Sequence, residues 1–233
     1  MIKIENTEIV GLKPAIRGMR NPMNSWQKSD SEFNMMCHCY YSLLDDCDNK
    51  ECEYCEYNNI PIIDFDIGEN DLDLMKRLVK AGAAHAKYKR MINVYCDITS
   101  NHTWWAEFDT YEHTVRNSCS KMHKIHVKEF MPDDFSHEGI DEVGGDIKEH
   151  FLKTIEKLEW LRNKFNETQE KKYWRAIIDL LPMGYNIKAT VMLNYEVLTA
   201  IYRWRRNHKM FEWCEFCKWI ESLPYSELIT GGI

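Results

Sequence analysis

The sequence predicts an α+β protein, and three features carry that prediction. Short alternating segments occupy residues 2–10 and 91–99. From Asp146 onward, apolar residues recur at helical spacing. No internal repeat or low-complexity tract interrupts either half. The 233 residues, 44% hydrophobic, can bury a sizeable core as one large domain or two small ones. A net charge of -7 leaves no electrostatic footprint for general nucleic-acid binding, although a local anion site needs only a few donors. No apolar run approaches the roughly 18 residues of a membrane span. The start, MIKIENTEIVG, has neither the apolar core nor the cleavage site of a signal peptide, so the expectation is a soluble, cytoplasmic protein.

The first division covers residues 1–67. Ile2 and Ile4 alternate with polar neighbours, a weak strand pattern. Residues 11–31, with two glycines and two prolines among asparagines and serines, read as a loop. Arg17, Arg20, Asn21, Asn24 and Ser25 form a set able to wrap an anionic ligand, because guanidinium forks match phosphate oxygens; the alternative is a solvated connection. Residues 31–60 are a cysteine-rich insertion, with Cys37, Cys39, Cys47, Cys52 and Cys55 in the order C-x-C-x7-C-x4-C-x2-C. Thiolates at this spacing can converge on a tetrahedral zinc, with Cys37, Cys39, Cys52 and Cys55 as candidate ligands and His38 as a further donor. The other reading is reduced packing cysteines, since only the last pair has knuckle spacing.

The second division, 68–233, is regular. Gly68-Glu69-Asn70-Asp71 offers an asparagine cap with an acidic first turn, and Leu72, Met75, Leu78 and Val79 follow at helical spacing. The alternation of Ile92, Val94, Cys96 and Ile98 predicts a half-buried strand, and His123, Ile125 and Val127 predict another over 122–130. Between them lies Trp104 to His126, where adjacent tryptophans precede the polar run Asn117-Ser118-Cys119-Ser120; this is either a ligand-binding element or a tryptophan-anchored core segment ending in a turn. Ile147, Phe151, Ile155, Leu158, Leu161 and Phe165 form an apolar helical stripe. Further helices are expected over about 169–180, 189–206 and 210–221, the first ended by Leu181-Pro182-Met183-Gly184. Cys214 and Cys217 share a helical face, where core packing is the commoner role.

This order of elements resembles the flavin-dependent thymidylate synthases, also called thymidylate synthase complementing proteins. The motif L-P-x-G, followed by Asn-x-x-x-Leu and then Arg, falls without a gap on Leu181, Pro182, Gly184, Asn194, Leu198 and Arg205, and His85 stands where the family places a histidine near its active site. The resemblance implies an antiparallel sheet flanked by helices, a homotetramer, bound FAD and dUMP, and one-carbon transfer to the base. It assigns His85 and Asn194 to the flavin, and Asn117, Ser120 and Arg205 to the nucleotide, with Asn194 and Arg205 facing the Asn117–Ser120 turn across a phosphate-bearing ligand. No protein nucleophile is required, because the flavin supplies the hydride.

The family's Arg-His-Arg positions hold Thr110, Tyr111 and Glu112 here; Ile178 and Glu196 stand where a nucleotide-side and a flavin-side arginine are expected. Each lost arginine removes charge-assisted hydrogen bonds of about 1.5–3 kcal/mol, and about 1.4 kcal/mol is tenfold in affinity. Arg116 and Arg175, together with Arg17 and Arg20, are the neighbouring donors able to replace them. Two functional readings follow: a divergent thymidylate synthase-type methyltransferase, or an inactive nucleotide-binding oligomer in which Trp104, Trp105, Phe108 and Tyr111 stack on a base. A third is a protein whose polar run is structural and whose work lies in an interface.

Overall fold

The structure, a computed structural model, describes residues 1–36 and 62–232. The zinc candidates Cys37, Cys39, Cys52 and Cys55 lie outside the described residues. In chain order the elements are β1 (Lys3–Val10), α1 (Leu12–Arg20), β2 (Glu32–Met36), β3 (Ile62–Asp66) and α2 (Glu69–Lys80). Then come β4 (Asn93–Asn101), α3 (His102–Phe108), β5 (Val115–Ser118), the single turn α4 (Lys121–Lys124) and α5 (Glu138–Val143). The chain finishes with α6 (Gly145–Thr168), α7 (Lys171–Leu180), β6 (Asn186–Asn194), α8 (Tyr195–Arg205), α9 (Phe211–Ser222) and α10 (Glu227–Thr230). They group into two compact units, one of residues 11–91 and one of residues 1–10 and 92–231.

In the 11–91 unit the stretch expected as a loop is largely helix α1. Leu12, Ala15, Ile16 and Met19 are buried at the i, i+3, i+4, i+7 spacing of one helical stripe, and Pro14 sits in the first turn, where its missing N–H is harmless. Helix α2 buries Leu74, Met75 and Val79. Its N-cap is Gly68 and not Asn70; the free amides of Asn70 and Asp71 donate to the Asp30 carboxylate at 2.9 and 3.1 Å. Strands β2 and β3 pair antiparallel from Glu32↔Asp66 to Met36↔Ile62.

The larger unit is built on a four-stranded antiparallel sheet in the order β1-β4-β6-β5. The central strands pair without a shift from Asn93↔Asn194 to Asn101↔Asn186. Val94, Cys96, Ile98, Ala189, Val191 and Leu193 are buried on one face, where alternation requires apolar side chains. Each central strand ends in an asparagine that caps the next helix. Asn101 Oδ1 accepts from Trp104 N at 2.9 Å, and Asn194 Oδ1 accepts from Glu196 N at 3.1 Å and Val197 N at 3.0 Å. Trp104, Trp105 and Phe108 of α3 pack with Trp213 and Phe216 of α9 into one aromatic core, and the fully buried Trp104 and Phe108 are no free stacking platforms for a base. A second apolar cluster joins Ile125, Phe130 and Phe135 to Phe151, Ile155 and Leu158 of α6 and Ile177 of α7.

Two expectations are corrected here. Residues 122–130 form no strand: they begin in the α4 turn, and only Ile125 and Phe130 are buried, as anchors in the second cluster. Residues 189–206 are not one helix, because β6 runs to Asn194 and α8 begins at Tyr195. Cys217 is core, as expected, with burial pushing its thiol up to about 12, and Cys214 Sγ donates to His208 O at 3.3 Å.

Candidate functional site

Strand β5 settles which face each residue of the polar run presents. Arg116 pairs with Val191, and Ser118 with Ala189, so both lie on the helix-covered face; Asn117 pairs with Thr190 and lies on the other. That open face carries a polar ladder in which the Asp97 carboxylate accepts from Thr190 Oγ1 at 2.6 Å and Asn6 Nδ2 at 2.9 Å. With Lys188 close by, these bonds hold Asp97 down at about 2.

A cleft of about 700 Å³ opens beside α3, lined by Trp105, Asp109, Arg116, Ser118, Cys119 and Ser120 and closed by His102, Met122, His123, Met183 and Ile187. Trp105 forms its floor, with Nε1 donating to Ile187 O at 3.0 Å, and the Arg116 guanidinium lies 4.7 Å above that ring. Asp109 holds Arg116 Nη1 at 3.0 Å, which fixes the fork while part of it stays solvent-facing. Ser120 caps α4, its hydroxyl accepting from His123 N at 3.3 Å.

The L-P-x-G motif supplies one rim of this cleft. His102 N donates to Met183 O at 3.0 Å, and Ser136 N donates to Gly184 O at 2.8 Å. A Cβ on Gly184 would stand 2.9 Å from Ser136 O, so the close crossing of the two backbones requires glycine. Tyr185, next in sequence, stacks on His102 with ring centroids 6.5 Å apart, and burial pushes its phenol up to about 12.

Of the residues singled out from sequence, Arg116 and Ser120 line the cleft; among the described lining residues Asn117, Asn194, Arg205 and Arg175 do not figure. Asn194 is only 8% exposed, and its oxygen is taken by the α8 cap. Arg205 is drawn into an internal network. Its Nη1 donates to Glu107 Oε2 at 2.6 Å, its Nε donates to Tyr111 Oη at 2.8 Å, and its guanidinium lies 4.7 Å from the Trp213 ring. Trp213 Nε1 donates to the same Glu107 oxygen at 2.8 Å. In the described chain Asn194 and Arg205 thus make capping and bracing contacts. Arg175 sits on exposed α7 and is matched by Asp179 one turn on, at 3.0 Å. His85 is an exposed turn residue of the 11–91 unit.

The residues that sequence reading missed are Glu107, Asp109, His102 and Met183. Asp109 lies in the Trp104–His126 stretch and Met183 in the L-P-x-G motif, so both were within reach. Glu107 acts on a partner 98 positions away, a relation that no local pattern carries. Among the described residues, no three His, Cys, Asp or Glu side chains gather as a metal site, and no helix is long and apolar enough to cross a membrane.

The chain has the fold of the flavin-dependent thymidylate synthases. A structure of the Helicobacter pylori enzyme complexed with FAD and dUMP matches it at a TM-score of 0.63 and 14% identity, over 97% of this chain and 96% of that one. A second structure of the H. pylori enzyme with FAD and dUMP gives the same TM-score and identity over 98% and 96%. No protein-family model and no curated protein matches the sequence. At this identity the likeness is one of fold, and it bears out the α+β, antiparallel-sheet architecture implied by the resemblance.

Proposed function

We propose that this chain is a divergent relative of those enzymes that binds a nucleotide of the dUMP type in the cleft beside α3. The observation that carries the reading is the convergence of Arg116, Ser118 and Ser120 at one wall of that cleft, against the rim formed by the L-P-x-G loop. Arg116 would take the phosphate, because a guanidinium positioned by Asp109 needs no further ordering to donate to an anion. Ser118 and Ser120 supply hydroxyls, and Met122, Met183 and Ile187 supply apolar contact for a pyrimidine ring. Asn194 and Arg205 support the site indirectly, by fixing the start and end of α8. A homo-oligomer, tetrameric by resemblance, is the assembly in which this site would work.

FAD, which both matched structures hold, would meet altered residues at the positions that the resemblance assigns to it. By resemblance, the outer positions of the Arg-His-Arg motif hold Thr110 and Glu112, and the position of the flavin-side arginine holds Glu196. Of the neighbouring arginines, Arg175 is matched by Asp179 and Arg205 by Glu107, and Arg116 is committed to the nucleotide phosphate. Bringing a pyrophosphate there would set its charge beside those carboxylates. Binding without flavin chemistry is thus favoured over one-carbon transfer, which is the second reading because both matched structures hold FAD with dUMP.

One preparation tests both. The purified protein should be colourless and should gain thermal stability with dUMP, by about 2.7 kcal/mol at a hundred times Kd. Arg116→Ala should remove most of that gain. Flavin absorbance in the purified protein would favour the enzyme, and no stabilisation by any pyrimidine mononucleotide would end the nucleotide reading.

A further inference from the structure

We propose that the 11–91 unit carries an anion site of its own, which takes the phosphoryl group of a small phosphate ligand. A pocket of about 450 Å³ is lined by Arg20, Met23, Ser25, Lys28, Asn70, Asp73, Leu74 and Arg77. The cations Arg20, Lys28 and Arg77 face one lining carboxylate, Asp73, which pairs with Arg77 Nε at 2.8 Å; Asp71 lies behind Arg20.

The construction around Arg20 points to a ligand. Its side chain is 4% exposed, and it is the only buried arginine among the described residues. Burying a guanidinium is unfavourable unless its donors are used. The simplest account is an ion pair that ties the 25–31 segment to α2, but Asp71 is satisfied largely by that segment itself. Its Oδ2 accepts from Ser29 Oγ at 2.7 Å, Ser31 Oγ at 2.6 Å, and the amides of Asp30 and Ser31, both at 3.2 Å. Arg20 adds one bond, from Nε to Oδ1 at 2.6 Å, and Nη1 reaches Ser25 O at 3.2 Å and Ser25 Oγ at 3.4 Å. Nη2 has no hydrogen-bond partner among the described residues. The guanidinium is therefore held in place by Asp71 and Ser25 with donors left over, at the wall of a pocket whose rim adds Lys28 and Arg77. Pre-positioned donors of this kind suit phosphoryl oxygens. The amides at the start of α2 do not contribute, since Asp30 already accepts from them.

The ligand chemistry is a phosphoryl group, either free phosphate or a phosphomonoester. Isothermal titration of the full chain at low ionic strength, with inorganic phosphate in one series and ribose 5-phosphate in the other, separates these two sources. The wild type should show saturable binding. Lys28→Ala with Arg77→Ala, both at the pocket rim, should keep the wild-type melting temperature and weaken binding about tenfold or more, as expected for losing one charge-assisted hydrogen bond. Arg20→Lys keeps the charge but loses the fork, and should also weaken binding. Tighter binding of ribose 5-phosphate identifies a phosphomonoester, and equal or weaker binding identifies free phosphate. No saturable binding by the wild type, or variants that bind as it does, would overturn the proposal. So would binding that Arg116→Ala abolishes and the Lys28/Arg77 pair leaves intact, because the anion would then sit in the cleft beside α3.

Discussion

Replacing Asn194 separates a structural role from a ligand contact. Asn194→Ala removes an oxygen that accepts from Glu196 N at 3.1 Å and Val197 N at 3.0 Å. Loss of an N-cap destabilises by about 0.5–2 kcal/mol. With Asn194 8% exposed, water is poorly placed to replace the acceptor, which puts the effect in the upper half of that range, about 1–2 kcal/mol. For a chain of this size about 1 kcal/mol moves Tm by about 2–4 °C, so the drop should be about 2–8 °C. Asn194→Ser and Asn194→Asp keep a capping oxygen and should recover most of it. Calorimetric melts measure the stability, and melts repeated with saturating dUMP measure binding. If Asn194→Ser melts like the wild type yet loses the dUMP shift, the carboxamide touches ligand and the capping account is insufficient. If Asn194→Ala melts like the wild type, the cap is not holding α8 at all.

Glu107 and Arg205 should be coupled. Glu107→Ala strands a half-buried guanidinium and takes an acceptor from Trp213, so each single alanine variant should lose about 1.5–3 kcal/mol and the double variant clearly less than their sum; additive losses in urea unfolding would deny the network. The Asp71 carboxyl should contribute to the acid side of stability in the 11–91 unit. Burial raises its pKa, but hydrogen bonds from Ser31, Ser29 and Arg20 and the Arg20 charge outweigh that, leaving it below its ordinary value of 3.8. A lowered folded value means stabilisation is complete above 3.8 and is lost as pH falls through the folded value, so Asp71→Asn should flatten the acid limb of a stability–pH curve. An unchanged acid limb would show that the pair contributes nothing there.

How much was legible depended on whether one period dominated a segment. Residues 91–99 alternate cleanly and form β4, and the stripe from Ile147 to Phe165 is helix α6. Residues 186–205 satisfied both periods, because Val191, Leu193, Val197, Leu198 and Ile201 are buried through the strand and the helix alike. Only the capping oxygen of Asn194 marks the change, and a capping oxygen within an apolar run gives a weak local signal. In residues 11–31 the glycines and prolines outweighed a valid stripe from Leu12 to Met19, although a proline in a first helical turn is permitted. The apparent strand at 122–130 failed because alternation without a pairing partner has no ladder to join. For the candidate site, Arg116 and Ser120 were identified from their stretch, whereas the engagement of Arg205 depended on Glu107 and Tyr111, far away in the chain.

Strand β5 meets its neighbour over only the pairs from Val115↔Met192 to Ser118↔Ala189. Displacing it by one position would turn the Arg116 cation out toward solvent and put the Asn117 carboxamide in its place, with composition unchanged. The 109–114 connector, where His113 takes φ +62°, therefore acts as the tuning peg for what the cleft offers an incoming molecule. Lengthening or shortening that connector by one residue is the smallest change able to convert a phosphate-seeking wall into a neutral one.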